Sequence, residues 1–200
     1  MLKEDKIESN YNTFLKLCKS TNIKQQPDRA EKLLHLLEHF GDRLVLCPAS
    51  SKERFHAAYP GGLVDHSLRV LANAQKICKS FGYKIDSESL IMACLFHDFG
   101  KIGDLTDDYY EYQDNEWRRD NLGEFYKINY DMQKMPNAER GLWLLQHFGV
   151  YLTLDEWIAI RTNDGPIAEE NRYYMMHEPT LALIVQTADR HACQEEKAMR

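Results

Sequence analysis

An all-α bundle with one small β excursion is the fold this sequence predicts, and three observations predict it. Apolar residues recur at the three- and four-residue spacing of helix faces along most of the 200 residues. Gly41, the PGG of Pro60 to Gly62, Gly82, Gly100, Gly149 and Pro179 punctuate those stretches where helices start or stop. Only Tyr109 to Tyr130 departs from the pattern, with the aromatic-rich runs YYEYQDNEW and GEFYKINY.

In chain order, Ile7, Tyr11, Phe14, Leu15 and Cys18 mark a first helix, and Ala30 to Phe40 a second that Gly41 ends. Residues 1–50 therefore read as a helical scaffold. The turn-rich stretch Pro48 to Gly62 releases the chain into a helix from about Leu63, with Val64, Val70, Leu71, Ala74, Ile77, Cys78 and Phe81 as its apolar stripe and Gly82 as its stop. Asp86 and Ser87 cap the next helix, which holds LIMACLF and runs to Gly100. The RRDNLG between the two aromatic runs reads as part of a β-hairpin or irregular flap over 109–130. A helix from Asn137 to His147 follows, then the capping-box pattern TLDE at Thr153 to Glu156, then a last helix after Pro179 carrying Leu181, Ile184, Val185 and Ala188.

Length and composition predict a single soluble domain over 1–200. No run approaches the roughly 20 apolar residues of a membrane span, and the N-terminus has no signal-peptide core, so a cytoplasmic location is expected. The five cysteines form no CxxC pair and leave an odd count, which fits reduced thiols. A net charge of −6 argues against a protein that coats long nucleic acid, while a local basic cluster still suits a small anionic ligand.

The chemistry centres on HDFGK, His97 to Lys101, where an imidazole and a carboxylate follow seven apolar residues. Buried ionisable groups are paired or bind a metal. Helical spacing puts His97 on a face with Leu90 and Cys94, and Asp98 on a face with Ile91 and Leu95. His66 precedes Val70 by one turn, and Asp189 follows Val185 by one, so two imidazoles and two carboxylates from three helices point inward. A shared divalent metal satisfies all four together; singly, each also reads as a hydrogen-bonded core residue, a cap or an ion-pair partner.

GGLVDHS around His66, LFHDFGK around His97 and Asp98, and QTADRHA around Asp189 resemble the H…HD…D signature of the HD-domain superfamily of metal-dependent phosphohydrolases. The resemblance covers an HD core of about residues 55–196. FHAAYPGGLVDHS is also similar to the opening of the HD domain in certain 3′ to 5′ exoribonucleases, and LTLDEWIAIRTNDG followed by ADR to small stand-alone HD hydrolases of phage type. The resemblance implies that His66, His97, Asp98 and Asp189 ligate the metal. Family members with two metals carry further histidines where this chain has Asn137 and IRTNDG, with Asn163 and Asp164, so a single ion is expected, with Asp164 as the one position that could support another. The ion could be manganese, iron, zinc, cobalt or nickel, because all accept this ligand set.

One such ion polarises a phosphoryl oxygen and lowers the pKa of water, which implies hydrolysis of a phosphate ester or anhydride. Lys101 is a candidate to hold a phosphate oxygen, or else a charge complementing the helix end. Asp104 is a candidate water-orienting base or a turn residue, and His56 a candidate proton donor to the leaving group or a surface histidine. In the flap, Trp117 and Tyr126 can stack on a base while Arg118, Arg119 and Lys127 meet phosphates, unless the segment merely packs on the helices. Three functions stay open. The first is hydrolysis of a nucleoside or deoxynucleoside mono- or triphosphate. The second is a phosphodiesterase or 3′-exonuclease acting on short RNA or on cyclic or oligonucleotide signals. The third is a non-catalytic, metal-stabilised nucleotide-binding module. Oligomeric state is not legible.

Overall fold

The computed structural model describes residues 2–198, and it is an all-α bundle with one two-stranded sheet. Helix α1 spans Glu4–Cys18 and α2 Arg29–Leu46. Gly41 does not end α2 as its position in the sequence suggests. It bends the helix, at φ 38° and ψ −119°, and the chain continues to Leu46 because the bend turns Leu44 into the core. Glycine alone takes that backbone conformation without steric cost.

Helix α3 (Gly62–Phe81) begins where a Cβ on Gly62 would lie 2.0 Å from the Ala57 carbonyl oxygen, so GGL is a requirement of close backbone approach. Gly82 closes α3 in the left-handed conformation, its N–H donating to Cys78. In α4 (Ser87–Phe96) the Asp86 side chain caps the Ser89 amide, as expected. The helix stops at Phe96, four residues before Gly100. His97 and Asp98 occupy a turn, and a 3-10 turn over Phe99–Ile102 follows, with the Lys101 amide donating to the Asp98 carbonyl at 2.9 Å. The tighter winding seats Gly100 against a later helix: a Cβ there would stand 2.0 Å from the Asn137 carbonyl oxygen and 2.7 Å from the Gly141 amide nitrogen.

Strands β1 (Tyr110–Tyr112) and β2 (Tyr126–Ile128) pair antiparallel with Tyr110 opposite Ile128. They form the expected small hairpin, and its connection contains a helix, α5 (Glu116–Leu122). Asn115 caps α5 by accepting from the Arg118 amide, and Gly123 ends it at φ 58°, so local capping sets a helix between the two aromatic runs. Helices α6 (Asn137–His147), α7 (Leu154–Arg161) and α8 (Thr180–Ala198) complete the bundle, with both halves of the Thr153/Glu156 capping box formed. Helix α3 lies along α8 and α4, α7 packs on α8 and α4, and α6 on the 3-10 turn.

A continuous set of buried apolar side chains runs from Phe14 and Cys18 through Leu37, Phe96, Ile160 and Val185 to Ala192. Within it Arg29 of α2 donates to both carboxylate oxygens of Glu156 of α7, at 3.0 and 2.9 Å, both side chains fully buried. No described helix is long and apolar enough to cross a membrane.

Candidate metal centre

Three segments bring four ionisable side chains to one point at the end of the core. His66 comes from the first turns of α3, His97 and Asp98 from the turn after α4, and Asp189 from the middle of α8. His66 is 0%, His97 1% and Asp98 7% exposed. The inward direction expected from helical spacing holds for all of them. His97 and Asp98 achieve it from a turn, with Asp98 at φ −107° and ψ 9°, a sparsely used region favoured by active-site residues.

Each imidazole has one nitrogen committed and the other open. His97 donates from Nδ1 to the Cys94 carbonyl at 2.8 Å, and His66 from Nδ1 to Glu196 Oε1 at 3.0 Å. Both Nε2 atoms are buried without a hydrogen-bond partner. They converge with a carboxylate oxygen of Asp189, the three atoms lying within 4.8 Å of one another. His66 Nε2 is 3.0 Å from Asp189 Oδ1, and Asp98 Oδ2 is 3.5 Å from His97 Nε2 and 3.8 Å from His66 Nε2. Both nitrogens face carboxylates without a well-directed hydrogen bond, an arrangement that a cation between them satisfies. Anchoring one ring nitrogen while the other faces a carboxylate pair is how histidine is presented to a metal. The residues therefore fit a divalent ion.

The electrostatics agree. Burial opposes ionisation of Asp98, yet Lys101, His97 and His66 hold its carboxyl well below the usual range. Burial likewise opposes Asp189, but His66 and His97 bring it down to about 2. For His66 burial disfavours the charge, and the Asp189 and Glu196 carboxylates overcome it, raising this histidine to about 9. The site favours positive charge at its centre, which a divalent cation supplies more fully than a proton.

Lys101 reaches Asp98 Oδ2 from Nζ at 2.5 Å, with its side chain largely buried. Burial disfavours its charge, but Asp98 keeps the ammonium above its ordinary value. His56 returns to the site, its ring centroid 4.5 Å from that of His66. Burial, then Lys101 and His66, push its pKa down to about 3, which favours the neutral ring. Asp104 serves its turn: Oδ1 accepts from the Thr106 and Asp107 amides at 2.9 and 2.8 Å and from the Thr106 hydroxyl at 3.2 Å. These three bonds fix Oδ1 in the turn, the other role open to this residue.

Around the places where two-metal relatives carry histidine, Asn163 offers Nδ2 to Asp98 Oδ1 at 3.4 Å, and Asn137 accepts from Arg140 at 3.2 Å. The pKa of Asp164 is raised by desolvation and then by Asp98. The flap residues divide. Tyr126 lines a cavity of about 280 Å³ beside Lys101, with Tyr110, Cys47, Leu46, Arg43 and Asp108. Trp117 is 62% exposed on α5. Arg118 pairs with Glu124, Arg119 donates to the Gln113 carbonyl, and Lys127 pairs with Asp114 and Glu111. The three cations are matched by the flap itself.

Sequence reading missed Glu196 and Tyr110. Glu196 follows Asp189 by seven residues, two helical turns, so both lie on one face of α8. That spacing was the available signal, hidden because QEEK looks like a solvated charge run. Arg69 Nε approaches Glu196 Oε1 at 3.3 Å and steadies it. Replacing Glu196 with alanine is expected to weaken divalent-metal affinity by about 10- to 100-fold, the usual effect of losing a ligand's outer partner. Isothermal titration calorimetry measures this, with Glu196→Gln falling between; unchanged affinity would show that His66 needs no orienting carboxylate.

Comparison with curated proteins and with solved structures gives no match. Comparison with family models gives one, the HD domain, over residues 63–192. The matched span contains every one of the four converging side chains and the α3, α4 and α8 segments that carry them. Sequence pattern, helix arrangement and the open histidine nitrogens thus agree that the chain belongs to the HD domain family, in general a family of metal-dependent phosphohydrolases.

Proposed function

We propose that this protein hydrolyses a nucleoside or deoxynucleoside mono- or triphosphate with one divalent ion held by His66, His97, Asp98 and Asp189. The observation that carries the reading is the pair of buried, unpartnered Nε2 atoms facing two carboxylates, next to a cationic Lys101 that also borders a cavity. A divalent ion bound there supplies Lewis acidity toward a phosphoryl oxygen and acidifies water near neutral pH.

The chain's own residues do the rest. Lys101, held charged by Asp98, offers a buried ammonium to a non-bridging phosphate oxygen and to the negative charge that develops in the transition state. Tyr110 and Tyr126, whose ring centroids lie 6.3 Å apart in the lining of the cavity that Lys101 borders, give a base or sugar aromatic surface. At about 280 Å³ the cavity is at the small end of ligand sites, which suits one nucleoside better than an oligonucleotide. That size favours this reading over the exonuclease.

The test is chromatographic product analysis with manganese against ribo- and deoxynucleoside mono- and triphosphates and a short RNA, with Asp98→Ala as control. Loss of a mononucleotide, absent in the control, is expected; degradation of the RNA alone would overturn the reading. Lys101→Ala is expected to keep metal affinity and lower kcat by about 10²- to 10³-fold, the effect of losing one transition-state donor. Steady-state kinetics beside metal titration check this, and wild-type turnover would remove Lys101 from the phosphate site.

A further inference from the structure

A chain of side-chain contacts runs from α1 to His66, and much of it lies outside residues 63–192, which the HD domain match covers. Asp65, the residue before His66, is 7% exposed, and its carboxylate accepts from three side chains. Asn10 of α1 donates from Nδ2 to Oδ1 at 2.8 Å, the Tyr59 hydroxyl donates to Oδ2 at 2.8 Å, and Arg69 donates from Nη2 to Oδ2 at 3.1 Å. Arg69 Nε in turn stands 3.3 Å from Glu196 Oε1, the oxygen that accepts from His66 Nδ1 at 3.0 Å. Asn10, Tyr59 and Glu196 all fall outside the matched span. Helix α1 is seated closely where α3 begins: a Cβ on Gly61 would stand 3.1 Å from both Cγ atoms of Ile7.

We propose that Asp65 is a positioning residue for the metal centre: it fixes Arg69, Arg69 fixes Glu196, and Glu196 fixes the His66 ring, with Asn10 bringing α1 into the same chain. The inference rests on the metal centre described above. Asp65 acts through others, because its oxygens are taken up by Asn10, Tyr59 and Arg69. The guanidinium is planar and its donors are fixed relative to one another, so a bond at Nη2 sets where Nε points. Outer partners of this kind orient a metal-binding imidazole and strengthen its hold on the ion. The competing use of Asp65 and Arg69 is an ordinary i,i+4 ion pair on a helix surface. Such a pair is solvated, whereas Asp65 is buried and takes two further donors from outside α3. Metal affinity is thereby tied to the docking of α1, a helix that the matched span does not contain.

The test is calorimetric titration of the demetallated full-length protein with manganese, with circular dichroism to check the fold of each variant. Asp65→Asn, which keeps the shape of the side chain and removes its charge, is expected to weaken manganese binding about 10-fold, the lower end of what losing an outer partner costs. Asn10→Ala is expected to weaken it in the same direction by less, and takes the place of Asp65→Asn in the same comparison should that variant fail to fold. In a Glu196→Ala background Asp65→Asn should change the affinity by no more than about twofold, because the route to His66 is already cut. A merely structural role would give the same loss in both backgrounds, and that result overturns the proposal, as does wild-type affinity in both Asp65→Asn and Asn10→Ala. A wild-type protein that binds no manganese would overturn the metal centre itself, which separates failure of this inference from failure of the proposed function.

Discussion

Replacing Asp98 with alanine is expected to lower divalent-metal affinity by more than the roughly 100-fold that loss of an outer partner costs, and to remove turnover. Asp98 Oδ2 lies 2.5 Å from Lys101 Nζ and within 3.8 Å of the Nε2 atoms of His66 and His97, so its removal takes away a proposed ligand and the counter-charge of Lys101 together. Asp98→Asn separates those effects from packing, because it keeps the shape of the side chain and removes its charge. Titration calorimetry with manganese and metal analysis of the purified variants give the answer. Wild-type metal content in Asp98→Ala would contradict its assignment as a ligand.

The largest stability effect is expected far from the metal. Arg29→Met should cost about 3–5 kcal/mol, because Glu156 is then left buried without its counter-ion. Arg29 also donates from Nε to the Thr21 carbonyl at 2.5 Å, and Glu156 accepts from the Thr153 amide at 2.8 Å as half of the α7 capping box. The pair joins the N-terminal helices to the helices of the site. Pairing Arg29→Met with Glu156→Leu should recover much of the loss, since replacing both charges in a packed interior is often close to neutral. Urea denaturation of both single variants and the double variant measures the coupling. A single variant within about 0.5 kcal/mol of wild type would be the effect of an ordinary surface change and would contradict the account.

Much of the architecture was legible because it is written in local pattern. The apolar stripe of α3, the Asp86 cap and the Thr153 to Glu156 box each depend on residues a few positions apart. The inward direction of His66, His97, Asp98 and Asp189 follows from the same periodicity. What stayed hidden depends on distant partners. Gly41 bends its helix because Leu44 has a core to enter, and α4 stops at Phe96 because Gly100 meets the backbone of α6. Glu196 is buried only because α8 lies along α3. Aromatic and basic composition marked the flap as interesting, yet it could not tell Tyr126, which lines the cavity, from Arg118 and Lys127, whose charges face neighbouring carboxylates.

The central claim is that His66, His97, Asp98 and Asp189 hold a divalent ion, and anomalous diffraction from crystals grown with manganese tests it most directly. The account predicts an anomalous peak in bonding contact with Nε2 of both histidines and with oxygens of both aspartates. A fully loaded crystal with no peak there, or with its strongest peak elsewhere on the molecule, would contradict it.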